Sequence, residues 1–147
     1  LSVIFMDADK FKAVNDTHGH LAGDQVLVSL AHTLTEETGD RGLVARYGGE
    51  EFALVMPNTA RKAAAQFAEH LRQRIEATQI EAGEGLTLNV TVSMGVATYD
   101  GVRFFNRAEQ LIKAADQAVY AAKESGRNCV RVFAPKPAQP KQPAPAG

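Results

Sequence analysis

Residues 46–57 read RYGGEEFALVMP, and this stretch predicts how the middle of the chain folds. Gly48 and Gly49 interrupt residues that otherwise favour strands, so the segments on either side are predicted to pair as a β-hairpin. Two acidic residues, Glu50 and Glu51, follow the glycines directly. Because adjacent carboxylates repel each other, the pair indicates that a cation lies close to this turn.

The composition is typical of one globular domain. The chain has 147 residues, 45% of them hydrophobic, and a net charge of −1. This balance gives no electrostatic reason to expect nucleic acid or an anionic membrane as a partner, and no apolar run is long enough to insert into a bilayer. The single cysteine, Cys129, cannot form an internal disulfide, which fits a reducing compartment.

The end of the chain differs in composition from the rest. From Ala134 onward the sequence has five prolines in 14 residues and no aromatic or branched aliphatic residue. Such a segment cannot bury enough surface to offset the entropy lost on ordering. We therefore expect a folded domain over residues 1–133 and an extended, solvated tail over residues 134–147.

Hydrophobic periodicity predicts strands and helices in alternation around the hairpin. The expected strands are 3–6, 43–47, 51–56, 86–97 with a bulge at Gly95, and 130–133. The expected helices are 24–37 with Asp24 as its cap, one opening at Thr59 with Ala64, Phe67, Ala68, Leu71 and Ile75 facing inward, and 107–124. This order predicts an α/β fold of the α+β sandwich type, with a mainly antiparallel sheet and helices over one face.

Acidic residues also follow the first predicted strand. Asp7 and Asp9 stand where that strand meets a loop, and by themselves they would most simply cap turns. If the glycine hairpin lies beside the first strand, however, Glu50 and Glu51 can approach Asp7. Converging carboxylates require a cation, and a site made only of oxygen atoms suits Mg²⁺, which completes its shell with water and phosphate oxygens.

Residues 122–128, AKESGRN, supply candidate phosphate donors. Lys123 and Arg127 flank a Ser-Gly turn, although basic residues in a last helical turn are also favoured by the helix dipole alone. The main-chain amides of residues 10–12 could add neutral donors. Asn15 and Asp24 could read the edge of a purine, and an aspartate that accepts from a ring N–H and an exocyclic amine selects guanine.

Together these segments resemble the GGDEF-type diguanylate cyclases. The resemblance rests on DADKFKAVNDTHGHLAGD, RYGGEEF, VTVSMGVA and AKESGRN, in order and at family spacing, and it covers residues 1 to about 133. It implies a nucleotide-cyclase or polymerase-palm-like fold. It further implies a nucleotidyltransferase, dependent on Mg²⁺ or Mn²⁺, that condenses two GTP into cyclic di-GMP and releases pyrophosphate.

The resemblance assigns a role to each matching position. The metal ligands would be Asp7, the main-chain carbonyl of Ala8, and Glu50, with Glu50 and Glu51 as the candidates for accepting the proton of the ribose 3′-OH. The substrate-binding residues would be Gly48 and Gly49 in the turn, Asn15 and Asp24 at the guanine, Lys123, Arg127 and nearby Lys12 at the β- and γ-phosphates, and His20, which either contacts substrate or braces its loop.

The resemblance also implies partners. One domain offers one GTP half-site, so catalysis would need a homodimer, arranged by a sensor or dimerisation segment that precedes Leu1. The domain would belong to a bacterial protein and face the cytosol, whether or not the full-length protein is anchored to a membrane. The family's Leu-Thr-Gly-Leu-like helix is missing ahead of Leu1, and a loss of stability is expected from this.

Residues 39–42 depart from the family pattern. They read Gly-Asp-Arg-Gly, where many members carry an inhibitory Arg-x-x-Asp, so product inhibition through that site is expected to be absent. Three alternatives remain at this stage: a catalytically silent domain that acts as a receptor for GTP or cyclic di-GMP, an enzyme with a different base preference, and an interaction module that uses the tail.

Overall fold

Residues Ser2–Ala8 form β1, the central strand of a five-stranded sheet, and all of them are buried. The computed structural model describes residues 1–101 and 104–135. The other α-helices and strands of that part are α1 (Phe11–His18), α2 (His20–Thr38), β2 (Leu43–Arg46), β3 (Glu51–Met56), α3 (Arg61–Ala77), β4 (Ile80–Glu81), β5 (Thr87–Leu88), β6 (Val92–Thr98), α4 (Ala108–Glu124) and β7 (Val130–Val132), and a 3-10 helix spans Gly39–Arg41. Across the described ranges, no helix is long and apolar enough to cross a membrane.

The sheet is mainly antiparallel, as predicted. Its strand order is β2-β3-β1-β6-β7. Strand β1 pairs antiparallel with β3 and β6, β2 pairs antiparallel with β3, and β7 runs parallel to β6. The short strands β4 and β5 pair with each other outside this sheet. The hairpin predicted around the two glycines is therefore confirmed as β2–β3.

Helices cover both faces of the sheet, so the expectation of one covered face is wrong. Ile4 and Met6 of β1 pack into a core with α2 and α3, whereas Val3 and Phe5 pack against α4. A strand that is buried on both faces carries a continuous apolar run rather than an alternating pattern. The run at residues 3–6 thus reflects two packed layers of helices.

Several local boundaries also differ from the expectation. Helix α2 begins at His20, so Asp24 lies inside the helix and does not cap it. The extra helix α1 precedes it, and Gly19, with φ of 89°, turns the chain between the two helices. The expected strand over residues 86–97 is interrupted between β5 and β6. Gly95 forms no bulge, because β6 keeps an unbroken register with both of its neighbours.

The buried face of the helix predicted from Thr59 is confirmed. It begins two residues later, at Arg61, and its buried residues are Ala64, Phe67, Ala68, Leu71 and Ile75, as expected from their spacing. The predicted tail over residues 134–147 lies outside the described residues from position 136 onward.

Candidate active site

The glycine hairpin lies beside the end of β1, as the sequence predicts. Asp7 stands opposite Glu51 in the ladder between β1 and β3. The N–H of Ala8 donates to the main-chain carbonyl of Glu50 at 3.2 Å. Strand pairing therefore brings Asp7, Ala8 and both glutamates to one end of the sheet.

The side chain of Arg46 holds the hairpin turn. The guanidinium of Arg46 donates to the carbonyl oxygens of Gly48, at 3.1 Å, and Gly49, at 2.8 Å. A Cβ atom at Gly48 would collide with the carboxylate of Glu51, whereas the space beside Gly49 is open. Phe52 follows the acids and is buried in the main core. The turn is thus anchored on one side and open on the other.

Negative charge is concentrated where β1 meets the hairpin. Burial raises the pKa of Asp7, and the carboxylate of Glu50 raises it further, against the lowering effect of the Lys123 ammonium. The Nζ atom of Lys123 lies 2.8 Å from Oδ2 of Asp7. Burial is also the main cause of the raised pKa of Glu51, followed by the charge of Asp7. One ammonium group faces several carboxylates here, so a further cation would stabilise their ionised forms.

The oxygen atoms at this end of the sheet fit a magnesium ion. Asp7 and Glu50 offer carboxylates and Ala8 offers a main-chain carbonyl, so the set contains only the hard ligands that magnesium prefers. Among the side chains of residues 1–101 and 104–135, no three or more His, Cys, Asp or Glu groups converge on a common metal position. Two carboxylates and one carbonyl would fill only part of the octahedral shell of magnesium, which in proteins usually leaves several coordination positions to water and phosphate oxygens.

The predicted phosphate-binding cations lie in different surroundings. Lys123 is in the last turn of α4 and is directed at Asp7. Arg127 lies in the following turn with φ of 65°, and it lines a groove of about 470 Å³ together with Lys10 and Asn128. None of the carboxylates of Asp7, Glu50 or Glu51 lines this groove. That Lys123 and Arg127 bind one anion together remains a prediction.

The start of α1 presents main-chain donors next to β1. Lys10 adopts a left-handed conformation with φ of 54°, and the N–H of Val14 donates to its carbonyl at 3.2 Å. The amides of residues 11–13 precede that bond and have no acceptor within the helix. Lys12 is exposed in the same turn. This arrangement agrees with an anion site at the loop after β1, where neutral amides and a lysine are both available.

The residues predicted to read guanine lie where α1 meets α2. The N–H of Gly19 donates to the carbonyl of Asn15 at 2.8 Å. The Asn15 side chain lies so close to Gly23 that a Cβ atom there would overlap its amide group. Asp24 follows Gly23 on α2 and is exposed, as is His20 at the start of that helix. The fold thus places Asn15 beside the turn that carries Asp24, and base recognition by the pair remains a prediction.

Asp9 is a polar residue whose importance the sequence did not reveal. The residue is only 7% exposed, and its carboxylate accepts hydrogen bonds from Thr91, Ser93 and the N–H of Asn128. Its two-residue spacing from Asp7 was visible, but spacing alone does not distinguish a turn cap from a buried acceptor. The partners of Asp9 come from distant parts of the chain.

Known proteins share both the sequence pattern and this fold. A family model described as "Diguanylate cyclase, GGDEF domain" matches residues 1–129. Diguanylate cyclase A of Treponema denticola is 41% identical over 130 residues, which cover 88% of this chain and 34% of that protein. The chain thus spans about a third of the length of that curated relative.

Two solved structures have a similar fold. The active GGEEF domain of a diguanylate cyclase from Vibrio cholerae has a TM-score of 0.82 at 32% identity, covering 92% of this chain and 83% of that one. The GGDEF domain of DgcB from Caulobacter crescentus, solved in complex with c-di-GMP, also has a TM-score of 0.82 at 32% identity, covering 90% and 77% of the two chains. From the matched motifs, the fold and the extent of the family match, we conclude that this chain belongs to the GGDEF-domain family of diguanylate cyclases.

Proposed function

We propose that residues 1–133 are the catalytic domain of a diguanylate cyclase, which joins two GTP into cyclic di-GMP and releases two pyrophosphates. One observation carries this proposal: Asp7 and the Glu50-Glu51 pair meet at one end of the sheet, with Lys123 beside them. The Vibrio relative, whose GGEEF motif this chain shares, is described as active, and the Caulobacter relative binds c-di-GMP.

Asp7, Glu50 and the carbonyl of Ala8 would hold Mg²⁺ in this proposal, and Mn²⁺ would suit the same oxygens. The bound ion would supply electrostatic stabilisation of the charge that develops on the triphosphate. Lys123, Arg127, Lys12 and the free amides of α1 would hold the β- and γ-phosphates and neutralise the leaving pyrophosphate.

Glu50 and Glu51 are the two candidates for accepting the proton of the ribose 3′-OH. A base is most effective when its pKa is close to the working pH. Burial and the charge of Asp7 raise the pKa of Glu51, so this pKa lies closer to neutral pH than the pKa of an ordinary glutamate. Gly49 has open space beside it, so the hairpin could approach the ribose and the α-phosphate without steric conflict.

Asn15 and Asp24 would select the base. The Asp24 carboxylate would accept from the ring N–H and the exocyclic amine of guanine, and adenine offers no ring N–H at that edge. Asp24 is exposed and therefore accessible from solvent. His20, one turn earlier on α2, would lie close to the same nucleotide.

Replacement of Asp24 by alanine is expected to raise the KM for GTP about ten- to a hundredfold, since hydrogen bonds to a charged acceptor are lost. The variant should also lose the parent's preference for GTP over ITP, because ITP lacks the exocyclic amine. Initial rates with both nucleotides measure this, with the exposed Asp40→Ala as the matched control. An unchanged GTP/ITP ratio in Asp24→Ala would rule out this role.

Each chain provides one half of the reaction centre. Each 3′-OH must lie in line with the α-phosphate of the other GTP, so two domains must face each other in a two-fold arrangement. A sensor or dimerisation segment in the full-length protein would create that arrangement in the cytosol, where GTP is available. The Pro-rich residues 134–147 would lie outside the catalytic domain.

The proposed function is tested by fusing the domain to a parallel coiled coil and incubating it with GTP and Mg²⁺. We expect mass spectrometry to detect cyclic di-GMP from the fusion, little from the unfused domain at low concentration, and none from fused Asp7→Asn. Binding of GTP without any product would instead identify a nucleotide receptor. High activity of the unfused domain, independent of its concentration, would contradict the need for dimerisation.

We also propose that product does not inhibit the enzyme through residues 39–42. Arg41 is the one basic residue there, and it is already engaged: its guanidinium lies 4.5 Å from the centre of the Phe67 ring and donates to the carbonyls of Glu37 and Thr38. Arg41 lies in the 3-10 helix that follows α2, and these contacts tie it to the last turn of α2. Tight binding of cyclic di-GMP that is lost in Arg41→Ala would contradict this proposal.

A further inference from the structure

Asp9 is a buried carboxylate that the proposed mechanism does not use. Its Oδ1 atom accepts from the hydroxyl of Ser93 at 2.6 Å. Its Oδ2 atom accepts from the hydroxyl of Thr91 at 2.8 Å and from the N–H of Asn128 at 3.0 Å. Both oxygens are therefore occupied by protein donors, which makes Asp9 a poor metal ligand and a strong acceptor for the turn after α4.

The turn after α4 has an unfavourable backbone conformation, so it depends on contacts with its surroundings to keep it. Gly126, Arg127 and Asn128 all have positive φ values, of 107°, 65° and 47°. Residues other than glycine adopt this region at an energetic cost and keep it only when their surroundings impose it. The turn lies directly after Lys123 and contains Arg127, the two cations assigned to the phosphates.

Helix α3 also holds this turn, through the side chain of Asn128. The Oδ1 atom of Asn128 accepts from Nη1 of Arg72 at 2.7 Å, and its Nδ2 atom donates to Glu76 at 2.8 Å. Arg72 also donates to Glu69 and Glu76, each at 2.7 Å. Its side chain is 13% exposed. Because most of this arginine is shielded from water and it has several fixed acceptors, it is a rigid support.

We propose that Asp9 and Arg72 are positioning residues for the nucleotide phosphates. Asp9 binds the main chain of Asn128, and Arg72 binds its side chain. In this way they keep Arg127, and the end of α4 that carries Lys123, in place for the β- and γ-phosphates of GTP. The inference rests on the proposed function and adds two residues to it that touch no substrate.

The test compares two nucleotides that differ in those phosphates. Binding of α,β-methylene GTP, which cannot release pyrophosphate, and of GMP is measured with Mg²⁺ by calorimetry and NMR titration. In Asp9→Ala we expect the affinity for the triphosphate to fall about tenfold or more, since charge-assisted hydrogen bonds are lost. The affinity for GMP, which lacks both outer phosphates, should change less than about twofold.

Two further variants separate positioning from general structure. Asp9→Asn should keep most of the triphosphate affinity, because its amide oxygen can still accept from Asn128 while its NH₂ group donates to the hydroxyl of Ser93. Asp16→Ala removes an exposed aspartate of α1 and should behave as the parent. If Asp9→Ala does not fold, Arg72→Met on α3 carries the same prediction.

The outcomes distinguish this inference from the proposed function. Triphosphate affinity that is unchanged in folded Asp9→Ala or Arg72→Met, or an equal loss for GMP, would overturn the positioning role even if the parent makes cyclic di-GMP. A parent that binds neither nucleotide would overturn the proposed function itself, and the positioning role with it. A selective loss for the triphosphate in both variants, restored in Asp9→Asn, supports the inference.

Discussion

Replacement of Glu50 by glutamine is expected to lower the kcat for cyclic di-GMP formation about a thousandfold or more, within the range lost when an acid or base is removed from a reaction centre. Glutamine keeps the size of the side chain and leaves the main-chain carbonyl that accepts from Ala8. Only the negative charge is removed, so the loss would report on metal binding and proton transfer. Initial rates on the coiled-coil fusion measure it.

Two companion variants make the result specific. Glu109→Gln removes an exposed glutamate from the first turn of α4 and should retain the parent's rate. Glu51→Gln separates the two roles assigned to the acids: if Glu51 is the base, this variant loses kcat while its requirement for Mg²⁺ stays unchanged. A Glu50→Gln enzyme within tenfold of the parent would show that this residue is neither a necessary ligand nor the base.

Replacement of Gly95 by alanine is expected to lower the free energy of unfolding by about 3 kcal/mol, at the upper end of what overpacking usually costs. Gly95 lies in β6 directly under α4. A Cβ atom there would lie 2.5 Å from the main-chain nitrogen of Val119 and 2.9 Å from the carbonyl carbon of Ala118. Main-chain atoms of a packed helix cannot rotate away, so α4 would have to shift from the sheet.

Urea unfolding measures the effect on stability. The matched control is Gly49→Ala, since the space beside Gly49 is open and its φ is not positive, and its stability should stay within about 0.5 kcal/mol of the parent. Because α4 carries Lys123, a folded Gly95→Ala should also weaken binding of the triphosphate. An unfolding midpoint equal to that of the parent would mean that α4 is not seated this closely on the sheet.

Much of the candidate site could be predicted from sequence, because its residues lie in short segments with distinctive patterns. The hairpin was predictable from two glycines between strand-forming segments, and its acids follow the glycines directly. The buried face of α3 was predictable from spacing, since helical periodicity is a local property. Helix α1 was not predicted: it has only eight residues, none of them fully buried, and only Phe11 and Val14 pack against the main core, which is too short an apolar pattern to indicate a helix.

The sequence by itself determined the local elements, the turn that presents Glu50 and Glu51, and the family pattern that joins them to Asp7. Only the tertiary structure decided which distant groups meet. Asp9 and Asn128 are 119 positions apart, and their hydrogen bond depends on the register of β6 against β1 and on where α4 ends. The two covered faces of the sheet and the close approach of α4 to Gly95 have the same origin. Packing between elements sets these contacts, and no local pattern of residues encodes them.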